Sequence, residues 1–402
     1  MRILVVCQYY YPEPFRVSDI CEELVKRGHE VDVVTGIPNY PMGVIYDGYR
    51  NGEHRDEEIN GVHVHRCFTI GRRSGALWRF LNYYSFAFSS SRYVAKIKKD
   101  YDVVFVNQLS PVMMACAGVK YKKKHNKKLV LYCLDLWPES LVAGGIKKGS
   151  LIYNVFHKIS RKLYKAADRI LITSRQFEKY FYDEFEIGSN VTKYLPQYAE
   201  ELFADVNVGR TADKKQFDFV FAGNIGAAQK VDVIIRAAAE MEKASTFSVN
   251  WHIVGDGAEL DNCKKLVEEL GVTSIVFHGR QPVERMPEYY GMADAMLVTL
   301  SDDEIISYTL PGKVQSYMAA GRPVIASANG ETPLVIKEAD CGYCCAAENF
   351  EALASVAEEF CELSYERKEE LGKNARDYYN EHFSKKVFIG DLEKELLITQ
   401  DS

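Results

Sequence analysis

At 402 residues the chain is too long for one ordinary domain and suits two of about 200 each. Its 47% hydrophobic content is that of a globular protein, and it holds no run of about 18 uncharged apolar residues. The start, MRILVVCQYYYPEP, turns polar and proline-rich too soon for a signal peptide, so a cytoplasmic protein, soluble or peripheral, is expected. The net charge of −6 is unevenly spread, with 30 Lys and Arg against 20 Asp and Glu through Leu195, and 20 against 36 beyond it. A basic first half suits nucleic acid, an anionic membrane or plain solvation, and no nucleic-acid-binding motif supports the first. The ten cysteines are irregularly spaced, several within apolar runs (Cys7, Cys133), as buried thiols of a reducing compartment are. Cys341-Gly-Tyr-Cys344-Cys345 contains one C-x-x-C with no second pair at metal-ligand spacing, which favours packing over zinc.

In chain order, the pattern predicts a strand at Ile3–Cys7, a helix near Val17–Arg27, a strand at Val31–Thr35, a long insertion, a strand at Val62–Arg66 and a helix over Trp78–Lys98. A strand at Val103–Asn107, a helix at Val112–Lys124, a strand at Leu129–Leu134, a helix around Ile152–Ala166, a strand at Ile170–Thr173 and a helix after Ser174 follow. Such alternation predicts a parallel sheet covered on both faces. After the polar stretch Ala199–Gln216 it restarts, with strands at Phe217–Ala222, Val249–Val254, Ile275–His278, Ala295–Leu300 and Val324–Ser327. The expected fold class is α/β: two doubly wound Rossmann-like domains, 1–198 and 217–383, joined by a linker at 199–216 and facing each other across a ligand-binding cleft.

Glycine turns follow the second-half strands: Gly223-Asn224-Ile225-Gly226, Gly255-Asp256-Gly257 and Gly279-Arg280. Each removes side chains where a ligand would approach backbone amides. In Thr309–Ser327, Pro311 and Gly312 break the preceding strand and open a helix whose free N–H groups and dipole attract an anion, and Lys313 adds a full charge. Ala319, Ala320 and Gly321 close that helix before the apolar run from Val324; an ordinary helix-to-strand connection is the plainer reading of the same segment. No GxGxxG follows the first strand, where Gln8 to Arg16 stand instead, which argues against a dinucleotide there.

Six segments in order, the amino-terminal strand with Pro12-Glu13-Pro14, Lys26–Gly43, Cys133–Ser140, Phe219–Gly226, Trp251–Gly257 and Thr309–Ser327, resemble the family-4 retaining glycosyltransferases of GT-B fold. Within them the chain looks most like the fucosamine-transferase-like branch of bacterial O-antigen, capsule and exopolysaccharide assembly. The resemblance implies a nucleotide-sugar donor in the second domain and a polyprenyl-diphosphate-linked acceptor in the first. It also implies retention at the anomeric carbon, UDP as carrier, and neither metal nor other cofactor. It suggests that the helical stretch Ser384–Leu397, within 384–402, crosses back onto the first domain. Gly255 and Gly257 would lie near the nucleotide, Gly279 and Arg280 near the base, and Pro311, Gly312 and Lys313 at the distal phosphate and sugar, beside Gly223 and Asn224.

Departures from the family pattern are specific. Tyr308 and Ser316 stand where two glutamates are expected, so Gln315, a water or one of Asp302, Asp303 and Glu304 must replace the ribose-binding carboxylate. Asn224 and Gln229 stand at the diphosphate Arg and Lys positions, leaving Lys313 to neutralise the leaving diphosphate with Lys230 or Arg16 assisting. In the first domain, Asp135 at a strand end is placed to orient or deprotonate the acceptor hydroxyl, or else caps a turn. Asn39 and Tyr40, Gln108 and Ser110, and Trp137 and Glu139 are the candidate acceptor residues, with rigid turns as the alternative.

The segment Ala76–Phe88 is aromatic and flanked by Arg72, Arg73, Arg79, Lys96, Lys98 and Lys99, and Lys120 to Lys128 form a second basic cluster. The aromatics are expected to face the core of a helix covering the sheet. The lysines are expected at an anionic membrane, on the inner face of the plasma membrane. Two other readings remain open from sequence: a UDP-N-acetylglucosamine 2-epimerase, which Pro38–Gly43 and Leu134–Ser140 speak against, and a non-catalytic nucleotide-sugar-binding subunit, which Tyr308 and Ser316 allow.

Overall fold

The computed structural model describes residues 1–72, 75–142, 145–206 and 216–401. Most of the expected linker and Arg73 of the basic flank lie outside the described residues. The chain divides into two units, Met1–Thr173 with Phe177–Leu195 and Ile389–Ser402, and Ser174–Gln176 with Pro196–Phe388.

Through Leu195 the elements are β1 (Arg2–Val6), α1 (Val17–Lys26), β2 (Glu30–Gly36), β3 (Asp56–Ile59), β4 (Val62–Cys67), α2 (Ala76–Val94), β5 (Val103–Gln108), α3 (Cys116–His125), β6 (Lys128–Cys133), α4 (Glu139–Val142), α5 (Leu151–Tyr164), β7 (Arg169–Ile172), α6 (Gln176–Phe185) and β8 (Thr192–Tyr194). The sheet order is β3-β4-β2-β1-β5-β6-β7-β8. Central β1 is parallel to β2 and β5, Ile3 facing Val31 and Val103, and its run Ile3 to Val6 is sealed on both faces. Burial of both faces is why a strand in this position reads as continuous apolar residues. Helix α1 turns Val17, Ile20, Cys21 and Leu24, one helical stripe, onto that sheet.

Three features differ from the expectation. The long insertion contains β3, Asp-Glu-Glu-Ile, which pairs antiparallel with β4, so the sheet is not wholly parallel. It is an acidic edge strand with no apolar alternation to reveal it. The helix expected from Val112 begins as a 3₁₀ turn, Val112–Ala115, before α3. On α2, Tyr83 and Phe86 are buried as expected, but Leu77, Phe80 and Phe88 face solvent, at 67%, 48% and 71% exposure.

The second unit holds β9 (Gln216–Ala222), α7 (Val231–Ala244), β10 (Ser248–Val254), α8 (Leu260–Leu270), β11 (Ile275–Gly279), α9 (Met286–Met292), β12 (Ala295–Thr299), α10 (Glu304–Tyr308), α11 (Gly312–Ala319), β13 (Val324–Ser327), α12 (Glu331–Glu338), β14 (Gly342–Cys345), α13 (Phe350–Glu362) and α14 (Tyr365–Tyr378). Its six strands lie in the order β11-β10-β9-β12-β13-β14 and pair parallel throughout. Phe219, Phe221, Trp251, Ile253 and Leu297 of the sheet share one core with Ile234 and Ala238 of α7 and Leu353 and Phe360 of α13. One mostly parallel and one wholly parallel sheet, each covered by helices, are the two Rossmann-like units of a GT-B fold.

The C-x-x-C segment is β14, whose Cys344 and Cys345 lie beside Ala326 and Ser327 of β13. Residue 342 must be glycine, since a Cβ there would sit 1.8 Å from Val324 O. What precedes Pro311 is not a strand but the short helix α10, capped by Asp303, whose Oδ1 accepts from Ile305 N (2.9 Å) and Ile306 N (3.1 Å). The last helix, α15 (Lys385–Asp401), counts with the first unit from Ile389 on, where Glu393 pairs with Arg27 (3.0 Å) and His29 (2.7 Å). Among the described residues no helix is long and apolar enough to cross a membrane.

Candidate active site

In the second unit the carboxyl ends of β9, β10 and β11 are laced together by their turns. Gly223 N donates to Val254 O (2.9 Å), Gly255 N to Gly279 O (2.9 Å) and Ile225 N to Asp256 O (2.9 Å). Gly223 and Gly255 both have φ +148°, and a Cβ on Gly255 would lie 1.8 Å from Gly223 O. A Cβ on Gly257 would lie 2.3 Å from Ile225 O. These glycines therefore bring two turns into backbone contact, and the platform they form carries no side chains at its centre. Gly279 also needs its positive φ, +66°, while Arg280 is exposed on the rim.

Helix α11 points its start at this platform. Pro311 occupies the N-cap and exposed Gly312 the first helical position, which leaves first-turn N–H groups open. Lys313 folds back so that its Nζ is fully buried 3.8 Å from the centre of the Phe221 ring, and a Cβ on Gly223 would lie 3.0 Å from it. That Nζ has no hydrogen-bond partner among the described residues. Burial pushes its pKa down to about 7. An amine buried against a ring face favours a nearby negative charge, because an uncompensated ammonium is costly to desolvate.

Neighbouring candidates are placed differently. Lys230, in a left-handed conformation (φ 44°) at the start of α7, is paired with Glu348 at 3.0 Å, so its charge is already answered. Asn224 Nδ2 donates to Gln229 Oε1 (3.2 Å) at the exposed edge. Gln315 is corrected from its expected role: it is buried, and its amide nitrogen, turned inward, donates to Pro311 O (2.9 Å) and Gly312 O (3.3 Å). Ser316 Oγ likewise donates to Gly312 O (3.2 Å), so both side chains bond the helix start. Of the acids offered as substitutes, Asp303 is the cap of α10, Asp302 Oδ1 accepts from Asn329 Nδ2 (2.7 Å) and Glu304 Oε1 from Tyr308 OH (2.6 Å).

In the first unit two clusters form at strand ends. Asp135 Oδ2 accepts from Ser110 N (2.9 Å), and burial raises its pKa above the usual carboxylate range. Gln108 Nε2 donates to Asp135 O (3.0 Å), and Trp137 Nε1 to Ser110 Oγ (2.8 Å). Gln108 and Trp137 are corrected here: both are buried, Trp137 between Tyr83 and Phe156, with no face left for an acceptor. Glu139 is buried too, accepting from Tyr153 OH (2.6 Å), and ties α4 to α5.

The second cluster has a member that sequence reasoning passed over. Glu13 is buried, and its Oε1 accepts from Asn39 N (2.8 Å) and Tyr40 N (2.7 Å), fixing the turn that holds both candidates. Burial raises its pKa to about 7 against those two bonds. Asn39 is buried, its Oδ1 accepting from Arg72 N (2.9 Å), and so shapes the loop from within. Tyr40 stays partly open, packed edge-on to Phe15. Arg16 is the N-cap residue of α1 in this unit. The signal for Glu13 was there, an acid between two prolines beside aromatic residues, but its partners lie 26 and 27 positions away.

Comparison with known proteins agrees unit by unit. Residues 207–378 match the family described as glycosyl transferases group 1, and residues 15–196 match the glycosyl transferase 4-like domain. The chain is 27% identical over 276 residues to the glycosyltransferase WbjE of Pseudomonas aeruginosa, an alignment spanning 65% of this chain and 66% of that protein. It is 24% identical over 354 residues, 83% and 85% of the two chains, to the glycosyl transferase WcaI of Escherichia coli, named for colanic acid biosynthesis. Among solved structures, sucrose-phosphate synthase of Thermosynechococcus elongatus superposes with TM-score 0.74 at 17% identity over 99% of each chain. Anabaena HepE, solved with UDP and glucose, gives 0.67 at 14% identity over 98% of this chain and 99% of its own. Both solved structures share the fold, and the domain matches on either unit carry the activity: the chain is a glycosyltransferase of GT-B fold.

Proposed function

We propose that this glycosyltransferase moves a hexose or N-acetylamino-hexose from a nucleoside diphosphate, UDP being the expected carrier, to a polyprenyl-diphosphate-linked saccharide in bacterial surface-polysaccharide assembly. The anomeric configuration is retained and no metal takes part. The observation that carries the reading is Lys313 at the start of α11, its Nζ buried over Phe221 with no hydrogen-bond partner among the described residues. As the bond from the sugar to the diphosphate breaks, the diphosphate keeps the electron pair. Lys313 and the open N–H groups of Gly312 and its neighbours meet that growing charge in a site already desolvated. The first unit takes the acceptor, with Tyr40 on its Glu13-anchored loop and Asp135 as the group receiving the acceptor proton. UDP in HepE and the colanic acid name of WcaI support the donor and the setting.

An anionic bilayer surface is part of the proposal. Leu77, Phe80 and Phe88 of α2 and Leu151, Ile152 and Val155 of α5 face solvent. Trp137 packs between the two helices, touching Tyr83 of one and Phe156 of the other. The Lys120–Lys128 cluster contributes less than expected, since Lys122 is paired with Asp168 (2.5 Å), Lys127 with Asp100 (2.9 Å) and Lys124 bonds Ala95 O (2.7 Å).

The test is a thermal-shift series against UDP-, GDP- and dTDP-sugars, followed by turnover on a lipid-linked acceptor. UDP-sugars at about 100 times Kd raise the stability by roughly 2.7 kcal/mol and the others do not. Lys313→Ala lowers turnover about 10²- to 10³-fold, as loss of a transition-state charge partner does. Wild-type turnover in that variant would remove the assignment.

A further inference from the structure

The second unit has another built cavity, at the opposite end of its sheet from the glycine platform. It has a volume of about 700 Å³ and opens beside Phe217 at the start of β9, Asp294 just before β12 and Pro323 just before β13. These are the amino ends of parallel strands whose carboxyl ends carry Gly223 and Gly255. Strands of five to seven residues separate the two places by roughly 15 to 20 Å.

Three cations line its inner wall. Arg322 is buried; its Nη2 donates to Gly291 O, while its Nε is buried with no partner among the described residues. Arg376 Nη2 donates to Ala320 O (3.0 Å). Lys368 Nζ donates to Cys361 O (2.9 Å) and Leu363 O (2.7 Å) and lies 4.6 Å from the centre of the Phe217 ring. Among the described residues the inner carboxylate is Asp294, whose Oδ2 accepts from Asp218 N (2.8 Å). Glu366, Glu369, Glu370 and Asp377 are exposed at the mouth.

Two guanidiniums and an ammonium around one carboxylate leave the wall short of negative charge. Burial pushes Arg322 down to about 10, with Asp294 holding it up in part and Arg376 repelling it, and burial lowers Lys368 as well against the pull of Cys361 and Asp294. Like charges gathered in a crevice with a spare buried N–H form an arrangement that an oxyanion stabilises, by planar N–H donation from arginine above all.

We infer that this cavity is a second ligand site, for a small molecule bearing a phosphate or diphosphate group, held by Arg322, Arg376 and Lys368 and separate from the donor site. Its anion would meet the Arg376 and Lys368 cations at the wall and settle the Arg322–Arg376 repulsion. The cavity volume lies within the range of small-molecule sites. The inference goes beyond the donor reading and does not depend on it.

Inorganic pyrophosphate is the probe, titrated calorimetrically into the full-length protein in the presence and absence of saturating UDP. One saturable site is expected that survives UDP. Arg376→Gln weakens it by about tenfold or more, and Lys313→Ala leaves it unchanged. Because Arg376 also caps α11, Glu369→Lys is the second variant: it sits exposed at the mouth, leaves the inner wall intact, and is expected to tighten binding several-fold. No saturable binding, equal affinity in wild type, Arg376→Gln and Glu369→Lys, or loss on adding UDP or in Lys313→Ala alone would each overturn the site. The last pattern would place the anion at the donor phosphates instead. A failure of UDP itself to bind would count against the donor reading and leave the pyrophosphate comparison intact.

Discussion

Lys313 is a lysine whose environment has removed the reason for its charge. With burial holding its pKa at about 7, it is half neutral near neutrality, and a bound diphosphate would return it toward the ordinary lysine value of about 10.4. The sign follows: below pH 7 the amine is already charged and binding moves no proton, whereas between about 7 and 10 binding must bring one in. Lys313 therefore adds no pH dependence to UDP affinity below pH 7 and weakens it about tenfold per pH unit between about 7 and 10. Calorimetry at pH 8.5 in buffers of differing ionisation enthalpy reads the uptake as close to one proton per UDP, and Lys313→Met abolishes it. The place of Lys313 at a helix start was legible because Pro-Gly-Lys before a helix is a local signal. The roles of Gln315, Trp137 and Gln108 were not, because side chains of these types serve equally as ligands or as scaffold, and only tertiary burial decides. Glu13 was missed for the converse reason, its task being defined by a loop remote in sequence.

At the scale of elements, strands with both faces buried announced themselves as apolar runs, and the parallel order followed from alternation with helices. What escaped were pieces too short or too polar to show a period: β3 at an acidic edge, three-residue β8, β14 hidden in a cysteine cluster, and α10 between a strand and a proline. The glycine turns were legible as turns but not as a mutual contact. Gly255 meets Gly223 O so closely that a side chain must push the two strand ends apart, and its φ of +148° is itself hostile to any other residue. Gly255→Ala is expected to cost about 2 kcal/mol or more and to move Lys313 off its seat. A lowered Tm with UDP binding reduced at least about tenfold checks this, and a variant matching wild type in both would show the platform to be pliable.

For the whole molecule, the charge division matters more than its total. Acidic residues outnumber basic ones beyond Leu195, and the excess of Lys and Arg lies in the half that also carries the solvent-facing leucines and phenylalanines of α2 and α5. Apolar side chains scattered singly need no explanation, but Leu77 and Phe88 on one helix and Leu151, at 82% exposure, on a helix sharing its neighbour Trp137 are a concentration. Each contributes about 1.5 to 3 kcal/mol if immersed in lipid, and each nearby exposed basic residue about 1 kcal/mol at an anionic surface. The full-length protein should then float with phosphatidylglycerol vesicles at low salt and release substantially at high salt, where the electrostatic share is screened. Phe88→Asp with Leu151→Asp should abolish flotation even at low salt, because it removes apolar area and adds like charge to the lipid. Turnover on a water-soluble acceptor should survive in that variant, since neither residue belongs to the glycine platform or to the Glu13 and Asp135 clusters. Flotation unchanged in the double variant would mean that the ridge meets something other than lipid.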